Sequence, residues 1–468
     1  MFEFRRQHPV AAVSQLFEGL KQNIIPLIIF LIAGSRNSNE YFWIIITLGL
    51  ISSFILGIVS WYRFTFRIYD DELQINKGIF VRKKLFLKKD KIQVIDITEG
   101  IIQRIFGLVQ VEIKTAGGGT EKATISAITK EEAADLRSIL RDFGITESDV
   151  PIMEDSKNNQ MHVWKLSNRN LFLAALTSGN FGVIASILGV VSGQLDQFIT
   201  DESLEYIASI LPGYSQLSTM IWVVTIIFII SYLLSFLGVI LRYSDFRIEK
   251  KENELLITSG LLERKQITVP FDRIQAFRYV EGILRQPFGY GMLYVESAGF
   301  EQKEKDRSIV LLPFAQKDFL LLFLNNFIGE LEKPDNVIRP PERSFFRYIR
   351  RSNYWVIVLV PIIWLLWDNA WVLFLLVVPC SLFGWLEFND AEIRVGKKII
   401  HLQYRVLAKT TAIIKQNRIQ SSELTINPFQ SRKKLANIHL TSASGAGGRK
   451  FSINDIDTQE AEQILKWA

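Results

Sequence analysis

The sequence predicts an α+β membrane protein: six transmembrane helices in three hairpins, each hairpin followed by a cytoplasmic module of antiparallel strands closed by a C-terminal helix. Three observations carry that prediction. Long uncharged runs come in pairs, the stretches between pairs alternate like strands, and one short motif recurs in each of those stretches. The 468 residues are 49% hydrophobic and 22% charged, with a mean hydropathy of +0.18, which excludes a disordered chain and an ordinary water-soluble enzyme. One cysteine, Cys380, rules out an intramolecular disulfide and a cysteine-rich zinc site, and His8, His162, His401 and His439 have no ligand spacing.

Uncharged segments at 41–62, 170–195, 206–241, 352–367 and 369–386 are near or above the ~17 to 25 residues a helix needs to cross a bilayer. The third breaks at Leu211-Pro212-Gly213-Tyr214, which leaves 218–241 as its spanning part. A sixth, 24–34, becomes long enough if its helix starts near Leu16 and Lys21 snorkels to the interface beside Glu18. Arg5 and Arg6 before it also fit a signal peptide, but no small-residue cleavage site follows and another apolar run begins at Tyr41.

The short connections within hairpins, 35–40, 196–217 and 368–369, hold a single basic residue, Arg36. By the positive-inside rule both termini and all the large soluble segments are then cytoplasmic. Tryptophans at span ends, among them Trp43, Trp61, Trp222, Trp355, Trp364, Trp371 and Trp385, read as interfacial anchors. The spans carry almost no ionisable side chain, which disfavours coupled transport. The organisation expected is hairpin 1–62, module 63–145, linker 146–169, hairpin 170–241, module 242–333, basic linker 334–351, hairpin 352–386 and module 387–468.

The modules echo one another. Phe66-Arg67-Ile68 matches Phe246-Arg247-Ile248, each just after a span, with the weaker Glu392-Ile393-Arg394 after the last hairpin. Asp90-Lys91-Ile92-Gln93, Asp272-Arg273-Ile274-Gln275 and Asn417-Arg418-Ile419-Gln420 hold the same place in each. In the first two modules identical gaps lead to Glu99-Gly100 and Glu281-Gly282, then to Phe106-Gly107 and Phe288-Gly289; the third has Thr425-Ile426-Asn427 where the Glu-Gly pair stood. Alternation such as Glu72-Leu73-Gln74-Ile75-Asn76 and Val109 to Lys114 predicts half-buried strands. Thr129 with Glu132, and Asp457 with Glu460, have the spacing of helix N-caps with reciprocal carboxylates, and 313–331 supplies the second module's helix.

These residues, with the run Gln103-Arg104-Ile105-Phe106-Gly107-Leu108 and the strand ending Thr115-Ala116-Gly117, resemble the bacterial pleckstrin-homology-like membrane proteins of the YdbS/YdbT type, and in particular their three-module members. The resemblance covers essentially the whole chain. It implies a pleckstrin-homology-like β-barrel of about seven strands with a helix plugging one end, a bacterial plasma-membrane location and no established catalytic activity. It also implies a partner, a smaller single-module membrane protein of the same kind.

The triple glycine Gly117 to Gly119 reads as a hairpin turn: it lacks the Lys-Ser/Thr of a phosphate loop and recurs as a small-residue turn in every module. The basic cluster is more informative. Arg82, Lys83, Lys84, Lys88 and Lys89, flanked by Lys77 and Lys91, oppose one acid, Asp90. Two readings are open, an anionic-phospholipid contact at ~1 kcal/mol per residue or a charge that only fixes topology. Arg343, Arg347, Arg350 and Arg351 before the fifth span read as a topogenic signal. A pI of 9.1 does not call for nucleic acid.

No paired carboxylates, nucleophile elbow or His/Cys cluster is present, so no catalytic residue, cofactor site or metal site is expected. The candidate partner-binding loop consists of Lys91, Gln93, Glu99, Arg104, Phe106 and Gly107 in the first module and Arg273, Gln275, Glu281, Phe288 and Gly289 in the second. The function expected is a non-enzymatic membrane scaffold that binds a membrane-protein partner, anionic headgroups or both. Envelope defence against membrane-active peptides and movement of lipid or solute are the alternatives.

Overall fold

The structure, a computed structural model, describes residues 3–14, 40–70, 72–115, 123–141, 163–178, 216–297, 308–329, 334, 336–365, 368–443 and 448–468. They form two compact units, residues 1–251 with 256–268, and residues 252–255 with 269–468.

The first unit begins with helix α1 (Glu40–Arg63) and strands β1 (Thr65–Tyr69), β2 (Glu72–Lys77), β3 (Lys83–Lys88) and β4 (Ile92–Glu99). A short helix α2 (Ile101–Ile105), β5 (Leu108–Thr115), β6 (Ala123–Thr129) and α3 (Lys130–Arg141) complete the first repeat. The period-two pattern does what it should: Leu73, Ile75, Leu85 and Leu87 from β2 and β3 meet Val111, Ile113 and Ile125 from β5 and β6, and α3 closes the core with Ala133, Leu136 and Leu140. Each fully buried aliphatic side chain contributes about 1.5–3 kcal/mol. α3 starts where the sequence places it, because the Thr129 hydroxyl accepts from the Glu132 amide at 3.1 Å while the Glu132 carboxylate accepts from the Thr129 amide at 3.2 Å.

The unit continues with β7 (Val163–Lys165), α4 (Asn168–Leu176), α5 (Gln216–Tyr243), β8 (Arg247–Lys250), β9 (Glu254–Ser259) and β10 (Arg264–Pro270). Its main sheet runs β6-β5-β4-β10-β9-β8-β7. The first three strands of the second repeat therefore extend the last three of the first.

The second unit repeats this arrangement. β11 (Ile274–Glu281), β12 (Tyr290–Ser297), β13 (Ile309–Gln316) and α6 (Lys317–Phe327) precede β14 (Asn336–Ile338), α7 (Phe345–Trp364) and α8 (Val377–Asp390). β15 (Glu392–Val395), β16 (Ile399–Arg405), β17 (Lys409–Lys415), β18 (Ile419–Thr425), α9 (Pro428–Ser431), β19 (Leu435–Ser442), β20 (Arg449–Asp457) and α10 (Thr458–Trp467) follow. The sheet order is β13-β12-β11-β17-β16-β15-β14, with β18-β19-β20 as a separate sheet. The third repeat's core gathers Ile393, Ile400 and Leu402 with Ile438, Leu440, Phe451 and the α10 residues Ala461 and Ile464.

Two stretches expected as linkers hold strands. Val163–Lys165 pairs with β8 and Asn336–Ile338 with β15, so α4 and α5 lie between β7 and its partner β8, and α7 and α8 between β14 and its partner β15. A bridge between Arg5 and Phe66 is the counterpart in the first repeat. The expected helix at 313–331 starts only at Lys317. Pro313 belongs to β13, an edge strand, where its missing N–H costs nothing.

Among the described residues three helices are long and apolar enough to cross a membrane, at Ile46–Arg63, Thr225–Tyr243 and Trp371–Asp390, fewer than the six expected. Of the other three spans, 16–34 and most of 170–195 lie outside the described residues, and the fifth is α7, which begins with the charged turn holding Arg347, Arg350 and Arg351. The glycine turn at 117–119 also lies outside the described residues.

Candidate functional site: the span-side rim and the strand joints

Every repeat holds the turn between its second and third main strands against the last turn of a membrane helix. In the first, the Arg63 guanidinium at the end of α1 donates to the Ile79 carbonyl. In the second, the Gly260 and Leu261 amides donate to the Ser244 carbonyl at 2.8 Å and the Leu241 carbonyl at 2.9 Å, at the end of α5. In the third, Asp390, the last residue of α8, accepts from Arg405 Nε at 2.6 Å and faces Lys409 Nζ at 2.9 Å. Gly78 and Gly260 make the first two turns possible: their φ values are +116° and +110°, and a Cβ would stand 2.0 Å from the Val81 and Glu263 carbonyl oxygens.

These turns present apolar side chains outward. Phe80 is 89% exposed and Val406 70%, and Val81, Leu261, Leu262 and Leu407 join them. The short helical segment after each fourth strand does the same with Ile105 and Phe106, Ile283 and Phe288, and Phe429. Rim and helix meet: Arg104 Nη1 donates to the Leu261 carbonyl at 2.8 Å, and Arg405 Nη2 donates to Gln286 Oε1 at 2.7 Å. Exposed apolar side chains grouped in this way mark an interaction surface.

The two joints share a register. β10 runs antiparallel to β4 with Arg264 opposite Glu99, and β17 runs antiparallel to β11 with Lys409 opposite Glu281. Each joint buries a polar pair. Asp96 Oδ2 takes Lys114 Nζ at 2.7 Å and Asp96 Oδ1 the Thr268 amide at 3.4 Å. Burial pushes the Asp96 carboxyl up, against the pull of Lys114. Arg278 Nε donates to Glu296 Oε1 at 3.0 Å and Nη2 to Ser308 Oγ at 2.8 Å. Burial also raises Glu281, with Lys317 and Lys409 pulling it down.

The sequence-predicted residues divide accordingly. Arg82, Lys83, Lys84 and Lys88 are exposed and Lys89 is half-buried. Lys91 and Arg273 close the 3₁₀ turns where the chain leaves one sheet for the next, and Gln275 Nε2 donates to the Arg273 carbonyl at 3.1 Å. Gln93 lies in β4, its side chain outside the described ones. Glu99 Oε1 meets Lys130 Nζ at 2.9 Å. Gly107 and Gly289 adopt φ of 66° and 69° after the short helical segments, where Lys434 takes 51° in the third repeat.

Buried glutamines at matching places in the first and third repeats were not singled out from the sequence: Gln103 Nε2 donates to the Ser126 carbonyl at 3.2 Å, and Gln430 Nε2 to Asp455 Oδ1 at 2.8 Å. Both stand three residues after the helix start, at Gly100 and Asn427.

The arginines at and before the start of α7, expected as a topogenic signal, make ion pairs within the second unit. Arg343 bonds Asp457, Arg347 Nε meets Asp455 Oδ1 at 2.6 Å, and Arg351 bridges Asp455 Oδ2 at 3.3 Å and Glu387 Oε1 at 2.6 Å. They bolt α7 to the third repeat. A cleft of about 330 Å³ opens beside them, lined by Tyr348, Tyr404, Arg405, Arg449 and Lys450.

Comparison with known proteins agrees with this geometry. The bacterial PH domain family matches residues 24–143, 190–326 and 349–468. The UPF0699 transmembrane protein YdbT of Bacillus subtilis (strain 168) is 32% identical over 486 aligned positions, covering 100% of this chain and 98% of that protein.

Proposed function

Since the chain belongs to the bacterial PH domain family, we propose that it is a non-enzymatic plasma-membrane scaffold whose three cytoplasmic modules are fused edge to edge and bind a membrane-protein partner. The observation that supports this most directly is the joint itself. The third main strand of one repeat pairs with the fourth of the preceding repeat, once in each unit. Such pairing makes rigid platforms out of modules that a flexible linker would leave independent. The apolar turns, anchored to span ends, seat the platform in the inner leaflet, and Arg82, Lys83 and Lys84 beside Phe80 and Val81 lean on anionic phospholipid. A parent with Cys380 replaced by Ser gives a background for single nitroxide labels. Labels at Phe80, Leu262 and Leu407 in reconstituted bilayers are expected to be reached by oxygen and shielded from a water-soluble nickel chelate. Labels open to the chelate at all three positions would remove the membrane seat from the reading.

A further inference from the structure

Both joints follow one rule. A basic residue opens the third main strand, ten positions before the Ile of the Ile-Gln element: Arg264 before Ile274 and Lys409 before Ile419. A glutamate closes the fourth strand of the preceding repeat directly opposite it, Glu99 for Arg264 and Glu281 for Lys409. The first repeat has no predecessor, yet it carries the same third strand. Arg82 stands ten positions before Ile92, and among the described residues β3 is the edge of its sheet. Arg82, Lys83 and Lys84 are exposed there, and Phe86 is 55% exposed on the outer face.

We propose that the β3 edge is a docking strand for the fourth strand of a bacterial PH module on a different chain, paired antiparallel in the register of the two internal joints, with that strand's terminal acid opposite Arg82. Edge lysines discourage promiscuous pairing, and here they select an acidic strand. The charge pattern also decides against a second copy of this chain as occupant. The strand such a copy would offer is β18, which has Ile426 where Glu99 and Glu281 stand seven residues after Ile92 and Ile274. β18's acid Glu423 is taken by Lys450 Nζ at 3.0 Å, and Arg432-Lys433-Lys434 follows it. In that register Arg82, Lys83 and Lys84 would lie opposite Ile426, Thr425 and Leu424, with no acid to meet them.

This inference rests on the scaffold reading and names its partner. The test is a photoreactive p-benzoylphenylalanine in place of Phe86 in the full chain, irradiated in the native membrane, with the crosslinked peptide sequenced by mass spectrometry. In the joint register the residue four after the basic one lies opposite the residue four before the glutamate, as Ile413 lies opposite Phe277. The expected adduct is therefore on another chain's PH-module strand, four residues before its terminal Glu or Asp. Arg82→Glu is expected to lower its yield about fivefold, with Lys466→Glu leaving it unchanged. Adducts confined to residues 419–426 of a second copy, to lipid, or to a protein without such a strand would overturn the proposal. The nitroxide labels at Leu262 and Leu407 separate the two claims: if they remain lipid-exposed while the adduct fails, only the docking strand is lost.

Discussion

Glu99 closes the fourth strand of the first repeat directly opposite Arg264, which opens the third main strand of the second. The same relation recurs between Glu281 and Lys409. The opposition is one of backbone register and not a direct ion pair: Glu99 meets Lys130 Nζ at 2.9 Å, and Lys409 Nζ meets Asp390 at 2.9 Å. Its value lies in register: a slip by one residue would turn every buried side chain of β10 or β17 outward.

The second joint is tied to the membrane through Arg405, whose side chain is 3% exposed and binds both Asp390 at the end of α8 and Gln286 in the preceding repeat. Arg405→Met is expected to cost about 3 kcal/mol, because Asp390 keeps only Lys409 as a counter-charge. Arg405→Lys recovers only part of this, since an ammonium cannot serve both acceptors in a planar fork. Urea midpoints of the solubilised protein check both.

Acid should weaken the second unit before the carboxylates titrate. His401, on β16, is held down to about 4 from the ordinary imidazole value of 6.5, first by burial and then by Arg394, and His439 is lowered in the same sense by burial and Lys450. A base whose folded value is depressed gives stability that is complete above 6.5 and is lost as pH falls from there toward about 4, because the unfolded chain takes up the proton first. The urea midpoint is expected to fall between pH 7.5 and pH 5, and less steeply in His401→Leu.

The rim turns need glycine at two places. Gly78→Ala and Gly260→Ala would each drive a Cβ into a carbonyl oxygen at 2.0 Å, with an expected loss of about 1–3 kcal/mol. Thermal midpoints read this directly, and Gly282→Ala, with nothing within 4 Å of the added methyl, serves as the tolerated control.

Asp455 sits at φ 57°, 2% exposed, and accepts from Arg347, Arg351 and Gln430. Asp455→Ala is expected to cost about 3–5 kcal/mol by leaving a buried guanidinium unpaired. Asp455→Asn costs less, because Asn tolerates the left-handed backbone and still accepts from Gln430. Protease resistance of α7's attachment to the third repeat reports the difference.

Features set by local rules were legible in the sequence: the Thr129–Glu132 cap, the alternating strands and the recurring Ile-Gln corner follow from nearest-neighbour geometry. What could not be read was non-local. Val163–Lys165 is too short to show a period, so nothing marks it as a strand until β8 supplies its ladder. Arg347 resembles a topogenic charge because Asp455 lies 108 residues away in sequence. The joints escaped for the same reason: a sheet edge has no signature in composition, and only the pairing of β4 with β10 shows why Glu99 recurs as Glu281.

The central claim is that consecutive modules share a sheet, and register-specific disulfides test it most directly. In a Cys380→Ser background, the pair Thr98→Cys with Lys265→Cys, which face each other across the first joint, is expected to oxidise to an intramolecular crosslink in native membranes. The pair Ile97→Cys with Lys265→Cys, one residue out of register and on opposite faces, is expected not to. Equal crosslinking of both pairs, or of neither, would contradict a fixed β4–β10 joint and with it the fused platform.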